Sequence, residues 1–314
     1  MSCRALVTGA AGFAGGHLVD LLAAEGEEVR AWHRPGQGDL RQVGGVSWDA
    51  VDLLDRDAVR QALDRTAPDV VYHCAGAPHV GSSWHTTRAT FETNVLCSHY
   101  LLEALRARHP SARVVVTSSA MVYANAPTAL AEQAPLGPTS PYGVSKLAQE
   151  LVAIEDASPQ HVSIARAFNH FGPRQRLGFA ASDFARRIAE IEAGRCEPMI
   201  AVGNLDARRD LTDVRDTVRA YRMLGERGRA GAIYNVCSGT TVAIRDLLEL
   251  LLTRARVPIA VHIDATRMRP SDQPMVWGDN TRIQQELGWI PTIPLEQTVD
   301  DVLAYWRSQV ADEG

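Results

Sequence analysis

A glycine-punctuated turn near the start of the chain constrains its fold more than any other feature. Arg4–Thr8 (RALVT) is a short apolar run, and Gly9-Ala10-Ala11-Gly12-Phe13-Ala14-Gly15 follows it directly. From Phe13 to Ala24 apolar residues then recur at helical spacing. Glycines in such a strand–turn–helix permit a tight bend and a close backbone approach to a pyrophosphate. The helix start beyond them offers unpaired N–H donors and a favourable dipole. A glycine-rich loop without a ligand is the bland alternative, and the strand–turn–helix setting counts against it. Gly9, Gly12, Phe13, Ala14 and Gly15 are therefore candidate cofactor-binding residues.

The first half continues the alternation. Glu28–Trp32, Asp69–His73, Arg113–Thr117 and Val162–Arg166 read as buried strands, and WDAVDLL (48–54) as an apparent third strand ending at Asp52 and Leu53. Helical patterns at about Thr86–Arg108 and Tyr142–Ser158 lie between them. Such alternation predicts parallel βαβ units, hence an α/β Rossmann fold with a doubly wound parallel sheet. After about Gly172 arginine-rich helical patterns (Asp183–Glu192, Val214–Arg227, Ile244–Arg256) are separated by short pieces such as Ala232–Val236, and prolines punctuate the tail. The expected division is a dinucleotide-binding domain over 1–172 and a smaller mixed α/β lobe over 173–314, with later segments free to return to the main sheet.

Composition removes several functions. The 314 residues suit two domains or one large α/β unit. A net charge of −5 provides no basic field for nucleic acid or an anionic membrane, so any phosphate must be held by local groups. Five cysteines without a CxxC spacing argue against a disulfide framework or a metal site and for a reducing cytoplasm. No apolar run approaches the roughly 20 residues of a membrane helix, and no signal-peptide layout is present.

At the end of the second strand stand Trp32, His33 and Arg34, with no carboxylate to accept from the 2′-hydroxyl of NAD. Arg34 suits a 2′-phosphate, which favours NADP and leaves NAD possible; a solvated loop charge is the alternative. Asp52 and Leu53 would suit an adenine amino group and ring, or simply face water. Further on, Thr117-Ser118-Ser119-Ala-Met-Val-Tyr123 closes a buried strand and Tyr142-Gly-Val-Ser-Lys146 opens a helix. Residues i and i+4 share a helix face, so the Lys146 ammonium is expected to lower the Tyr142 pKa and ready it for proton transfer. Ser119 would hold the reacting oxygen. Tyr and Lys four apart also occur by chance.

Taken together these motifs resemble the extended, sugar-nucleotide-modifying branch of the short-chain dehydrogenase/reductase superfamily, over nearly the whole chain. The resemblance implies that Ser119 is the catalytic hydroxyl, Tyr142 the proton donor and Lys146 the residue on the nicotinamide ribose. It also implies a supporting role for Asn94 in F-E-T-N-V and a place for Ala75 beside the cofactor. Longer runs are similar to GDP-4-keto-6-deoxy-D-mannose reductases and the dehydratases related to them: HVGSSW (79–84), RAFNHFGPR (166–174), VGNLDARRDLTDVRD (202–216), YNVCSG (234–239), RMRPSD (267–272) and GDN (278–280). They imply that Asn169 and Arg209 contact a nucleotide sugar and that Arg269 holds its pyrophosphate, as guanidinium forks match phosphate oxygens. The residues alone leave Arg209 open to an ion pair with Asp210, and Asn169 to a turn. His79 and Ser82 are expected to line the substrate cleft, with Ser83 and Trp84 near it. His73, ending an apolar strand, reads as packed.

Three chemistries share such a scaffold: reduction of a sugar ketone, 4-epimerisation and 4,6-dehydration. Dehydratases of this type carry a Glu two positions before the tyrosine of S-S-x-x-V-Y; here Met121 stands there and transfers no proton. The expectation is therefore reduction by NADPH of the C4 ketone of a nucleotide-linked 4-keto-6-deoxy sugar, with epimerisation as the alternative. A non-catalytic NADP-binding sensor is opposed by the retention of Ser119, Tyr142 and Lys146. The relatives further imply a homodimer through a four-helix bundle that includes the Tyr142 and Asn94 helices.

Overall fold

The computed structural model describes residues 3–38, 40–155, 161–267 and 274–313. Six strands run in chain order: β1 Arg4–Thr8, β2 Glu28–His33, β3 Val46–Ala50, β4 Val70–His73, β5 Arg113–Ser119 and β6 His161–Ala167. With the later strand Ile233–Val236 they form one seven-stranded parallel sheet in the order Ile233–Val236, β6, β5, β4, β1, β2, β3. Helices cover both faces, which is why these strands read as near-continuous apolar runs. On one face the helices Phe13–Ala24 and Val214–Arg227 bury Leu18, Leu22, Val218, Tyr221 and Leu224. On the other, Arg56–Thr66, Cys97–Arg108 and Pro141–Glu155 bury Leu63, Leu101, Leu105 and Ala153.

Local chemistry fixes the boundaries. Asp55 caps the Arg56–Thr66 helix, its carboxylate accepting from the amides of Asp57 and Ala58 at 3.0 Å each, a cap worth about 1 kcal/mol. The third strand ends at Ala50, earlier than WDAVDLL implied. Asp52 turns back to accept from the Leu54 amide at 3.0 Å and so closes the strand instead of extending it. The helix expected over Thr86–Arg108 is continuous but not uniform: Thr87–Phe91 is α-helical, Glu92–Leu96 is one π-helical turn, and Cys97–Arg108 is α-helical again.

The smaller lobe packs the helices Ala180–Glu192, Ile244–Leu252 and Leu295–Asp312 around Ile188, Leu248, Val299, Val302 and Trp306. Short strand pairs brace it: Met199–Val202 beside Ala260–Ile263, and Arg208–Arg209 between Val242–Ala243 and Met275–Val276. Asn169–Phe171 pairs with Leu211–Asp213. The chain does not partition at one point, because the Val214–Arg227 helix and the Ile233–Val236 strand lie beyond residue 172 yet belong to the main sheet and its cover. In the sheet, β1 has β2 on one side and β4 on the other, so the winding reverses there. A crevice opens at the carboxyl ends of these strands. Thr8, His73 and Ser119 end β1, β4 and β5 respectively.

Candidate active site

The glycine turn makes a cradle that side chains would fill. Gly9 has φ +66°, and a Cβ on it would lie 2.7 Å from the Ala75 backbone. A Cβ on Gly15 would strike the Gly9 carbonyl oxygen, and one on Gly12 would come within 3.0 Å of it. Gly12 is the N-cap of the Phe13–Ala24 helix, and Ala14 begins that helix with Phe13. Ala75 faces the turn from the end of β4, its amide 3.4 Å from Thr8 Oγ1. These residues fit the phosphate bridge of a dinucleotide. The ring of Phe13 has a packing role: it lies between His17, edge-on at 5.5 Å, and His170, stacked at 5.9 Å.

A cavity of about 160 Å³ opens beside this turn. Gly12, Phe13, Gln37 and Trp48 line it together with Arg41, Arg174 and Arg176. Arg41 reaches Asp20 at 2.8 Å and the Gly16 carbonyl at 2.9 Å, while Arg174 reaches Asp20 at 2.8 Å from the opposite side. Arg174 sits at φ +72°, in the left-handed region where a non-glycine residue is strained. Arg34 is exposed at the end of β2, outside the cavity lining, and Leu53 is half-buried near the exposed Asp52. None of the three cavity arginines stands out in the sequence, because they come from two distant segments.

Opposite the turn, the Pro141–Glu155 helix presents Tyr142 and Lys146, both buried, toward Ser119 at the end of β5. The Ser119 hydroxyl acts on the Tyr142 phenol, and Ser119 Oγ accepts from the Met121 amide at 3.2 Å. Ser83, expected near the cleft, plays a structural part. Its Oγ accepts from the Tyr142 amide at 3.2 Å and fixes the helix start. Gly143 allows that start to press on the Met121 carbonyl, which a Cβ would strike. At the other end Glu150 ties the helix to two strands. It accepts from Ser118 Oγ and forms a two-bond pair with the buried Arg166 of β6, at 2.9 and 2.7 Å.

The electrostatics differ from the sequence expectation in one respect. Burial pushes the Tyr142 phenol above its ordinary value, with the Ser119 hydrogen bond pulling the other way. The Lys146 ammonium donates to the Thr117 carbonyl at 2.8 Å and to Gln149 at 2.9 Å, and exclusion of water decides the direction of the Tyr142 shift. Burial brings Lys146 itself down to about 8, against the pull of Cys74 and Glu150. Tyr142 is therefore a neutral phenol at ordinary pH, equipped to give a proton rather than take one. His73 is packed, as its sequence context implied, and burial lowers it to about 3.

Asn94, fully buried in the π-helical turn, joins the two sides. Its Oδ1 accepts from the Ala77 amide at 2.8 Å and its Nδ2 donates to Ser145 Oγ at 2.9 Å. The wider turn is a common way to aim one side chain out of register with its helix.

The remaining expected residues have the following local settings. His79 is half-buried and stacks on Phe179 at 5.0 Å. Ser82, exposed, donates to the His79 carbonyl at 3.4 Å, and Trp84 is exposed. Asn169 is exposed at the start of its short strand. Arg209 is half-buried, its Nη1 on the Arg208 carbonyl at 2.9 Å. Its neighbour Asp210, 1% exposed, accepts from the Ser238 amide and hydroxyl at 2.7 Å each and from the Gly239 and Gly278 amides at 3.0 and 3.3 Å. Asp210 is thus occupied by these donors. Arg269 lies outside the described residues. Among the described residues no group of three or more His, Cys, Asp or Glu is placed to hold a metal.

Comparison with known proteins agrees with this geometry. The GDP-mannose 4,6 dehydratase family profile matches residues 6–302. The chain is 37% identical to the GDP-6-deoxy-D-mannose reductase of Pseudomonas aeruginosa, with all of both chains covered. It is 31% identical to the dTDP-glucose 4,6-dehydratase of Streptomyces griseus, covering 98% of this chain and 95% of that one. The solved structure of RMD from Pseudomonas aeruginosa complexed with NADPH superposes with a TM-score of 0.87 at 34% identity, covering 98% of this chain and 100% of that one. With its doubly wound sheet, glycine cradle and Ser119–Tyr142–Lys146 cluster, the chain belongs to the GDP-mannose 4,6 dehydratase family.

Proposed function

We propose that this chain is an NADPH-dependent reductase that delivers hydride to the C4 ketone of a nucleotide-linked 4-keto-6-deoxy sugar, with GDP-4-keto-6-deoxy-mannose as the substrate. The observation that carries this reading is a proton donor without a second acid/base partner. Tyr142 is a buried neutral phenol beside Ser119, while position 121, adjoining both, is a methionine. Reduction of a ketone needs one proton, whereas dehydration needs a further acid/base group. The full-length likeness to a GDP-6-deoxy-D-mannose reductase supports the substrate class.

In the cofactor site Gly9, Gly12, Phe13, Ala14, Gly15 and Ala75 would hold the pyrophosphate region. Arg41, Arg174 and Arg176 would meet its phosphates, with Arg34, Asp52 and Leu53 at the adenosine end. NADPH, when bound there, supplies the hydride. Ser119 orients the ketone oxygen, Tyr142 passes its proton to that oxygen as negative charge develops, and Lys146 would hold the nicotinamide ribose. On the lobe side His79, Ser82, Asn169 and Arg209 would contact the nucleotide sugar, with Arg269 assigned to its pyrophosphate by family likeness. This gives the two lobes separate roles, cofactor in the first and sugar nucleotide in the second.

The reading extends to assembly and compartment. Leu96, Val144, Leu151 and Ile154 are exposed on the two adjoining helical segments that carry Asn94 and Tyr142, and Leu151 is 60% exposed. Pairing of these faces across a twofold axis would build a four-helix homodimer and cover them. Cys3, Cys74, Cys97, Cys196 and Cys237 are all free, which suits the cytoplasm. Among the described residues no helix is long and apolar enough to cross a membrane.

The test is direct. Purified chain, NADPH and GDP-4-keto-6-deoxy-mannose should consume cofactor and sugar in equal amounts and release a GDP-6-deoxyhexose. Isomerisation of a nucleotide sugar without net NADPH oxidation would overturn the reading.

A further inference from the structure

Lys146 is the only lysine among the 314 residues; every other Lys/Arg position is an arginine. A guanidinium stays charged at any working pH, whereas an ammonium is a compact cation that can release its proton when buried. The chain thus carries its one ammonium side chain at 5% exposure, inside the crevice.

The atoms that hold it form a continuous sequence of directed hydrogen bonds. Lys146 Nζ gives one N–H to the Thr117 carbonyl at 2.8 Å and a second to Gln149 Oε1 at 2.9 Å. Gln149 is fully buried, and its Nε2 donates to Ser98 Oγ at 2.8 Å. Ser98 has a single hydroxyl proton, and that proton goes to the Asn94 carbonyl at 2.7 Å, which can only accept. Ser98 Oγ must therefore accept from His73 Nε2, 2.8 Å away. That assigns His73 as the neutral Nε2–H tautomer and leaves Nδ1 to accept from Thr8 Oγ1 at 2.8 Å. Thr8 Oγ1 in turn receives the Ala75 amide at 3.4 Å. No member can reverse without setting two donors or two acceptors face to face. The glutamine oxygen is thereby compelled to point at the ammonium.

We propose that Gln149, locked in this orientation by Ser98 and His73, is a positioning residue that keeps the Lys146 ammonium in place with its third N–H free for the ribose hydroxyls of the nicotinamide cofactor. Gly76 supports the geometry: a Cβ there would lie 3.5 Å from Lys146 Nζ and 3.0 Å from Asn94 Oδ1, so the space in front of the ammonium stays open. The proposal rests on the cofactor reading given above. The other titratable groups around the ammonium are Tyr142 and Glu150 on its own helix and His73 and Cys74 at the end of β4. His73 is neutral, and burial pushes the Cys74 thiol up to about 12.

The test exploits the single lysine. Protein grown with 13C-labelled lysine has one labelled side chain, so an NMR pH titration of the cofactor-free chain reads Lys146 without assignment. The unaltered chain is expected to titrate near 8. Gln149→Leu removes an acceptor from the charged form and should lower that midpoint by about one pH unit, while Gln149→Glu should raise it by about one. Gln149→Leu should also raise the NADPH dissociation constant about tenfold by calorimetry, as loss of a charged hydrogen bond does. If Gln149→Leu does not fold, the nearly isosteric Gln149→Glu carries the test. Midpoints that stay in place in folded variants, with only the urea midpoint moved, would show a merely structural glutamine and overturn the proposal. Failure of the unaltered chain to bind NADPH would count against the proposed function, and the lysine midpoints would still decide the positioning role.

Discussion

Arg174→Gly separates folding from binding at the cavity beside the glycine turn. Arg174 occupies the left-handed region at φ +72°, which costs a non-glycine residue about 1 kcal/mol. Glycine relieves that strain, but it also loses about 0.5–1 kcal/mol through the greater freedom of the unfolded chain. The pair with Asp20 at 2.8 Å joins side chains 26% and 37% exposed, so its loss costs about 0.5 kcal/mol. Arg41 still holds Asp20 from the other side at 2.8 Å. The net change in stability is close to zero. A guanidinium on a phosphate is worth about 1.5–3 kcal/mol, which at 1.4 kcal/mol per decade is roughly a 10- to 150-fold weaker NADPH. Urea denaturation should therefore show little change while calorimetry shows the full loss of NADPH affinity. Measuring NADH alongside identifies the phosphate: a loss confined to NADPH assigns Arg174 to the 2′-phosphate, and an equal loss assigns it to the pyrophosphate. Unchanged affinity for both cofactors would refute the role, and a stability loss above about 2 kcal/mol would refute the strain argument.

Three further outcomes can be checked. Tyr142→Phe should lower kcat by about 10²- to 10⁴-fold, the range for a positioned acid, with NADPH affinity retained in a fluorescence titration; near-normal turnover would remove Tyr142 as proton donor. Acid should destabilise the fold through buried neutral imidazoles. His17 and His73 are held down to about 4 and 3 by burial, below the unfolded value of about 6.5. Their contributions are intact above about 6.5 and fall as pH drops toward the folded values, each by about 1.4 kcal/mol per pH unit. Urea midpoints across this window should be flatter in His17→Gln, and parallel curves for the two proteins would refute the assignment. Leu151→Asp should convert a dimer to a monomer by light scattering; an unchanged dimer mass would exclude that helix face as the interface.

What the sequence reveals rests on local pattern. The β1–turn–helix unit is legible because strand, glycine turn and helix follow one another within 21 residues, and Tyr142 with Lys146 because helical spacing fixes their shared face. What escapes depends on distant segments. The strand Arg208–Arg209 has two residues and exists only through its neighbours, so no periodicity marks it. The π-helical turn around Asn94 has no composition of its own. Arg174 lies 133 residues beyond Arg41, and only the fold brings both to Asp20. The Tyr142 shift runs opposite to the sequence expectation because helix spacing shows which charge is near but not how much water is excluded.

Asp210 has a consequence for motion. One carboxylate gathers donors from Ser238, Gly239 and Gly278, while its own amide is bonded to the Val276 carbonyl at 2.8 Å. Separating any of these segments would strand a buried charge, so the patch bearing Arg209 travels as one rigid body. If the crevice closes on a substrate, the bending must occur at other peptide bonds. The amides of Ser238, Gly239 and Gly278 should then show one common degree of protection from hydrogen exchange, however far the lobes swing.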